Sequence, residues 1–340
     1  FQGFEIHTEA EIQKLINECK FVYVDSEKSS AHDKSLKGHI TTNNNSQALE
    51  FVDTVIMNVN DMYDDTFKED LEKAKILHNS TQEYIEEAFT VLRNGGDLDV
   101  ETAKKAVSDL VEKIMQNPDA LVWLAQLKEK DKYTAAHSVN VCILSLTLGK
   151  ELNLTEAELN IWGLGALLFV IGKSRIADEI LKKTDSLNEN EFLLMKAHSF
   201  LGYAMLDENK NIPKEVLDIV LNHHERLNGL GYPNSRKGSE ISRFTRIVSI
   251  VDVFDAMTSD RCYKDAFQPQ HALNELYNMG PDELDQELIE AFIKCIGIYP
   301  VGSIVELNTG HTGVVVKLNE QHKLKPIVGL VLNRKHQPYE

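Results

Sequence analysis

His223-His224-Glu225-Arg226-Leu227-Asn228-Gly229-Leu230-Gly231-Tyr232-Pro233 is the densest cluster of unusual residues in the chain. Adjacent histidines at the end of a helix can direct two imidazoles toward one cavity, and neutral imidazole is the commonest protein ligand for transition metals. The glycines allow a sharp backbone turn, and Tyr232-Pro233 stiffens the loop. By itself a His-His pair is more often a surface or capping pair than a metal site, so both interpretations stay open.

Two aspartates lie downstream in an otherwise apolar helical segment. Asp252 and Asp255 are three residues apart, so both carboxylates project near the same helix face. Buried carboxylates need a metal, an arginine or hydrogen-bond donors. A helix cap, or a salt bridge with Arg246 or Arg261, explains them as well as a metal does.

Two further histidines lie upstream in helical segments. His137 belongs to the uncharged run 133–149, and His198 follows Lys196-Ala197. Each alone is better explained as a hydrogen-bonded core histidine than as a ligand. They become candidate metal ligands only if the fold brings them together with His223, His224 and Asp252.

Hydrophobic periodicity predicts a mainly α-helical body of roughly 250 residues. After Pro300 the period changes to two, which predicts a β-hairpin appendage at 303–306, 313–318 and 326–332. The helical segments are residues 46–63, 68–92, 101–115, 118–128, 132–151, 155–171, 189–207, 213–228, 240–260 and 281–296.

The pattern divides the chain into three parts. Residues 1–25 are expected to form the end of a small α/β domain, and 26–45, rich in Ser, Lys, His, Thr and Asn, a flexible linker. The main domain spans 46–340, with hairpins from about residue 300. Long acidic helices at 46–92 carry narrow apolar stripes, which fit a homodimer contact as well as packing within their own domain.

Charge and composition exclude several function classes. The 340 residues include 36 Lys and Arg against 53 Asp and Glu, giving a net charge of −17, which disfavours nonspecific binding to nucleic acid or anionic lipid. The run 133–149 is too short and too polar to span a membrane. Four scattered cysteines indicate reduced thiols and predict a cytoplasmic protein.

From Ser46 to Asn333 the sequence resembles the HD-GYP domain, a bacterial branch of the HD superfamily that hydrolyses cyclic di-GMP at a cluster of iron or manganese ions. Residues 1–25 also resemble the end of a small domain that often precedes it. The matching segments, in order, are His137–Val141, Gly172-Lys173, Lys196–His198, His223–Pro233, Asp252 through Lys264, and Tyr299–Leu307.

The resemblance assigns metal ligands to the positions of His137, His198, His223, His224 and Asp252, and to a His-Asp doublet. The doublet is missing, because Phe169 and Val170 stand in its place. Without the bridging aspartate nothing offsets the repulsion between two ions. We therefore expect no metal, or a single weakly bound iron or manganese ion at His198, His223 and His224, with His137 and Asp252 as the remnant of a second position.

The resemblance also implies contacts to the dinucleotide at Tyr232, Arg261 and Lys264, and a catalytic position at Lys173 whose role is doubtful without the doublet. It predicts a degenerate, noncatalytic component of cyclic di-GMP signalling that senses ligand or contacts a partner. One such partner is a diguanylate cyclase domain that docks at the loop 228–233, called the GYP loop below. The alternatives are a slow phosphodiesterase with one metal, and a purely structural dimer module with a vestigial pocket.

Overall fold

The computed structural model describes residues 65–126, 133–183, 185–259, 266–301, 303–319, 325–335 and 337. The predictions for 1–25 and 26–45 lie outside these residues, as do Arg261 and Lys264. Contacts divide the chain into two compact units, one spanning 63–303 with 317–326 and one containing 304–316 and 327–340. Each unit is described by itself below.

The first unit is helical. Its α-helices are α1 (Asp65–Arg93), α2 (Val100–Gln116), α3 (Asp119–Gln126), α4 (Tyr133–Glu151), α5 (Glu156–Leu168), α6 (Asp178–Leu181), α7 (Glu189–Lys196), α8 (His198–Asp207), α9 (Lys214–Asn222), α10 (Arg243–Thr258), α11 (Pro269–Met279) and α12 (Gln286–Ile296). Short 3₁₀ helices lie at Ile171–Arg175 and Gly238–Glu240. The prediction of a mainly α fold with a C-terminal β appendage is confirmed.

Helix α4 is the centre of this unit. It is the uncharged run of the sequence, and residues 137–149 are buried on every side. A helix that is apolar all round must be surrounded by other elements. α4 accordingly packs against α1, α2, α3, α5, α10 and α12. This position carries His137 into the interior, facing the aspartates of α10.

Several helices end earlier than periodicity predicted. The predicted helix 189–207 is broken at Ala197, whose N–H contacts the carbonyls of Leu194 and Met195, so α8 starts afresh at His198. The predicted helix 213–228 ends at Asn222. Helix 155–171 ends at Leu168 and continues as the 3₁₀ turn. Hydrophobic periodicity reports the pattern of apolar side chains. It does not show where the backbone hydrogen bonds of a helix end. The helices α6 and α11 were not predicted.

A close backbone approach holds the 3₁₀ helix against α8. A Cβ atom at Gly172 would overlap the carbonyl oxygen of His198 and the backbone nitrogen of Gly202. Only a glycine therefore fits at position 172. The contact places the segment that follows Phe169 and Val170 directly beside the start of α8.

The second unit contains the strands β1 (Ile304–Glu306), β2 (Thr312–Lys317) and β3 (Ile327–Leu332). They form an antiparallel sheet in the order β1-β2-β3, with Ile304 opposite Val314 and Glu306 opposite Thr312. Val314, Val315 and Val316 are buried. The predicted strand positions agree with these bounds within one residue.

Among the described residues, none of the helices combines the length and the apolar character that crossing a membrane requires. Cys142, within the described part of the chain, is a buried cysteine that forms no disulfide.

We predict that Gly172→Ala lowers the free energy of unfolding by at least about 2 kcal/mol, because the new methyl group meets backbone that cannot move independently. Urea unfolding monitored by circular dichroism measures this change. Gly202→Ala is the matched control, since its Cβ would lie 3.0 Å from the Val220 side chain and 3.2 Å from the Gly172 nitrogen. Its tight contact is offset by the gain in helix propensity, so the change should stay within about 1 kcal/mol. Equal effects of both substitutions would contradict the close-approach explanation.

Candidate functional site

Three histidines converge at the junction of α8 and α9. His198 is the first residue of α8, His223 is the C-cap of α9, and His224 follows it. One ring nitrogen from each lies within 4.8 Å of the other two. His198 and His223 are buried, and His224 is partly exposed. The structure thus brings together the three residues expected to hold a single metal ion.

Hydrogen bonds to the backbone fix the tautomers of two of these histidines. Nδ1 of His198 donates to the Met195 carbonyl at 2.7 Å, and Nδ1 of His223 donates to the Val220 carbonyl at 2.9 Å. A carbonyl oxygen only accepts, so each Nδ1 carries the hydrogen and each neutral ring keeps its lone pair on Nε2. Metal-ligating histidines typically donate their other ring N–H to a backbone carbonyl in this way.

The two Nε2 atoms face each other at 3.1 Å. Two lone pairs at this distance repel, unless a cation lies between or beside them. Two nitrogens that each sit about 2.0–2.1 Å from one ion are roughly 3 Å apart. The donor set therefore fits one transition-metal ion held by His198, His223 and His224.

Burial keeps the cluster neutral. It lowers the pKa of His223 to about 4, although Asp252 acts in the opposite direction. Burial also lowers the pKa values of His198 and His224, and the charge of His223 adds to both effects. Neutral imidazole is the form that binds metal, so the cluster is ready for an ion at neutral pH.

A second group links α4 to α10. Nδ1 of His137 lies 2.7 Å from Oδ2 of Asp255, and its Nε2 lies 3.0 Å from Oδ1 of Asp252. Both ring nitrogens face carboxylate oxygens, so whichever nitrogen carries a hydrogen can donate to the carboxylate beside it.

Asp252 connects the two groups. Its other oxygen, Oδ2, lies 3.9 Å from Nδ1 of His224. Burial raises the pKa of Asp252, but the hydrogen bond from His137 opposes burial, and the pKa lies below its usual value. The carboxylate is therefore ionised at neutral pH.

The alternative that Arg246 pairs with these aspartates is wrong. Arg246 donates instead to Asp285 at 3.0 Å and to the carbonyls of Ile241 and Gly238. Arg246 lies early in α10, about two turns before Asp252, and its side chain turns toward α12. Arg261, the other candidate partner, lies outside the described residues.

The Phe169 ring packs against both histidine groups. Its centroid lies 5.4 Å from that of the His137 ring, and it meets the His223 ring edge-on at 4.9 Å. Phe169 and Val170 are at most 1% exposed. Neither side chain offers an oxygen or nitrogen ligand.

The GYP loop covers the exposed side of His224. The Tyr232 ring stacks on the His224 ring at 4.6 Å, and the Tyr232 N–H donates to the His224 carbonyl. A Cβ at Gly231 would overlap the backbone of residues 224–226, so the loop needs glycine there. The buried carboxylate of Glu225 accepts from the backbone N–H groups of Asn234 and Arg236 at 2.6 and 3.0 Å, which fixes the return of the loop.

Lys173 lies in the 3₁₀ helix that follows Phe169 and Val170, and it is partly buried. Its charge contributes to the lowered pKa values of His198 and His223, which places it near the cluster. Arg261 and Lys264 lie outside the described residues, so their proposed ligand contacts stay predictions.

Two features of the site were missed from sequence. The partner of both aspartates is His137, which is more than a hundred residues away in the chain. Lys196 was noted only as part of a matching segment, yet its ammonium contacts the Tyr232 ring. The four-residue spacing of Phe192 and Lys196 on one helix was the available signal for their contact.

We predict that the metal-free protein loses stability as the pH falls from 6.5 to 4. The unfolded chain binds a proton at His223 within this window and the folded chain does not, so the free energy of unfolding drops by up to about 3 kcal/mol from this residue. Urea unfolding in chelator at several pH values measures the slope. His223→Gln should flatten it, and a variant with the slope of the wild type would contradict the prediction.

Comparison with family models gives two matches. The model described as "HD domain" matches residues 114–288, and the model described as "Domain of unknown function (DUF3391)" matches residues 1–103. The first match contains His137, Phe169, Val170, the three-histidine cluster and Asp252.

Curated relatives include proteins named as phosphodiesterases. The chain is 34% identical over 261 residues to the cyclic di-GMP phosphodiesterase PA4108 of Pseudomonas aeruginosa, which covers 77% of this chain and 63% of that protein. It is also 34% identical over 169 residues to the cyclic di-GMP phosphodiesterase response regulator RpfG of Xanthomonas campestris, covering 49% of this chain and 45% of that protein. The match thus spans less than two thirds of either relative.

A solved structure shares the fold. Bd1817, an HDG"Y"P protein from Bdellovibrio bacteriovorus, superposes with a TM-score of 0.57 at 23% identity, covering 74% of this chain and 79% of that chain. The chain belongs to the HD-GYP family of HD domains.

Proposed function

We propose that this protein is a noncatalytic member of the HD-GYP family that serves cyclic di-GMP signalling by binding the dinucleotide, a partner protein, or both. In this proposal the three-histidine cluster holds at most one metal ion. The ion, when bound, supplies a positive charge for a phosphate group. The chain's own residues bind and orient the ligand.

One observation carries the loss of catalysis. The Phe169 ring packs against His137 and His223, and neither Phe169 nor Val170 has a side-chain atom that could ligate a metal ion. Two-metal hydrolysis needs a ligand that bridges the ions and seats the attacking hydroxide. An apolar pair supplies neither, and each 1.36 kcal/mol of lost assistance slows the reaction about tenfold.

Ligand binding can survive this loss because it uses other groups. The Tyr232 ring is held beside the cluster by stacking on His224, and Lys173 lies near the cluster in the 3₁₀ helix. The relatives PA4108 and RpfG are named for cyclic di-GMP, which supports this dinucleotide as the ligand class.

A slow single-metal phosphodiesterase is the second candidate. The three-histidine cluster favours this candidate, because the Nε2 atoms of His198 and His223 lie 3.1 Å apart and three imidazoles can bind one ion. That ion would activate a water molecule bound beside the imidazoles. The two candidates differ in one measurable property, the hydrolysis of the dinucleotide.

Partner contacts are part of the same proposal. Leu230, at the tip of the GYP loop, is 85% exposed, which fits a protein-docking role such as contact with a diguanylate cyclase domain. The homodimer contact predicted from the sequence for residues 46–92 is also part of this proposal; residues 46–64 lie outside the part of the chain that the structure describes.

We predict that purified protein binds cyclic di-GMP at micromolar to millimolar concentration in calorimetry and yields no linear dinucleotide or GMP with excess Mn²⁺ or Fe²⁺ under anaerobic conditions. Chromatography of the nucleotides measures the products, and His223→Ala is the control for contaminating activity. Product that forms in the wild type and disappears in His223→Ala would support the single-metal enzyme instead. No binding and no hydrolysis would leave only the vestigial structural module.

We further predict that the double substitution Phe169→His with Val170→Asp raises hydrolysis at least about a hundredfold over the wild type, because it restores a bridging carboxylate and a terminal ligand. Phe169→Leu with Val170→Ala is the matched apolar control and should stay inactive. Metal content is measured in parallel. A wild type as active as the restored variant would refute the role assigned to the missing doublet.

A further inference from the structure

The Lys196 ammonium lies between two aromatic rings at the mouth of the site. Its Nζ is 4.7 Å from the centroid of Phe192 and 5.2 Å from that of Tyr232. Phe192 precedes it by one helical turn on α7, and Tyr232 belongs to the GYP loop and stacks on His224. The Tyr232 ring thus contacts both the ammonium and His224 of the candidate metal cluster.

This ammonium has no anionic partner within the described part of the chain. Lys113 and Lys183, which are also partly buried, pair with Asp70 and Glu191. Among the described residues, the Lys196 ammonium contacts the rings of Phe192 and Tyr232 instead of a carboxylate.

The backbone at Lys196 is fixed by the same bonds that orient His198. Nδ1 of His198 donates a hydrogen bond to the Met195 carbonyl, and the Ser199 hydroxyl donates to the Lys196 carbonyl at 3.2 Å. The two rings hold the far end of the side chain through cation–π contacts. Little conformational freedom remains for a ligand to remove, so the ammonium is preorganised for binding.

We propose that Lys196 binds a phosphate group of the cyclic dinucleotide, as a contact beyond those at Lys173, Tyr232, Arg261 and Lys264. This inference rests on the proposed function, since it requires a dinucleotide at the site. The three N–H donors of an ammonium suit a phosphodiester, and the rings leave them unused. In this proposal the imidazole of His224, the ring of Tyr232 and the ammonium of Lys196 line one side of the ligand site.

The test compares cyclic di-GMP binding by calorimetry in the wild type, Lys196→Met, Lys196→Arg and Lys214→Met. Loss of the charged contact should weaken binding about tenfold in Lys196→Met, and Lys196→Arg should stay within about threefold of the wild type. Lys214→Met removes the same charge from an exposed site about 13 Å along α9 from His223, and should leave affinity unchanged. The defect of Lys196→Met should shrink at high salt, because the lost term is Coulombic.

Metal content and thermal unfolding of each variant separate binding from folding. Unchanged metal content with weakened dinucleotide binding supports the proposal. Wild-type affinity in Lys196→Met overturns it and leaves the proposed function intact, whereas a wild type that binds no dinucleotide overturns both this inference and the dinucleotide-binding part of the proposed function. Lost metal in Lys196→Met, with Lys196→Arg equally weak for the dinucleotide, also overturns it, because Lys196 would then act by supporting the turn at His198.

Discussion

The contact of His137 with Asp252 and Asp255, packed beside Phe169, is the arrangement on which the account of this site depends. Both carboxylates are buried and lie within hydrogen-bond distance of the buried imidazole. Buried charges need such partners, and here α4 and α10 supply them to each other. In our proposal, Phe169 and Val170 leave this position without the carboxylate that would bridge two ions.

The remaining ligands behave differently because of where the backbone places them. Nδ1 of His198 donates to the Met195 carbonyl in the last turn of α7, and Nδ1 of His223 donates to the Val220 carbonyl in α9, so the two Nε2 atoms lie 3.1 Å apart. This pair presents a donor set for a cation, whereas the ring nitrogens of His137 face carboxylates.

Sequence reasoning predicted much of this and failed at specific places. Periodicity gave the helical body and the strands, because amphipathic stripes and alternation are local properties. The order of the motifs predicted the three-histidine cluster and the absence of the His-Asp doublet. The break at Ala197, the pairing of His137 with both aspartates and the contact of Lys196 with Tyr232 depend on residues distant in the chain or on backbone bonds. No local pattern encodes which of several partners a buried carboxylate will meet, so Arg246 was a reasonable candidate and the structure assigns it to Asp285.

Metal stoichiometry tests the central claim most directly. Protein purified without chelator, loaded anaerobically with Mn²⁺ or Fe²⁺ and freed of excess metal, would be measured by elemental analysis against protein concentration. The account predicts one ion per chain or none, with any bound ion lost in His223→Ala. Two ions per chain would contradict it, because a dinuclear centre would then have formed without a carboxylate at position 170.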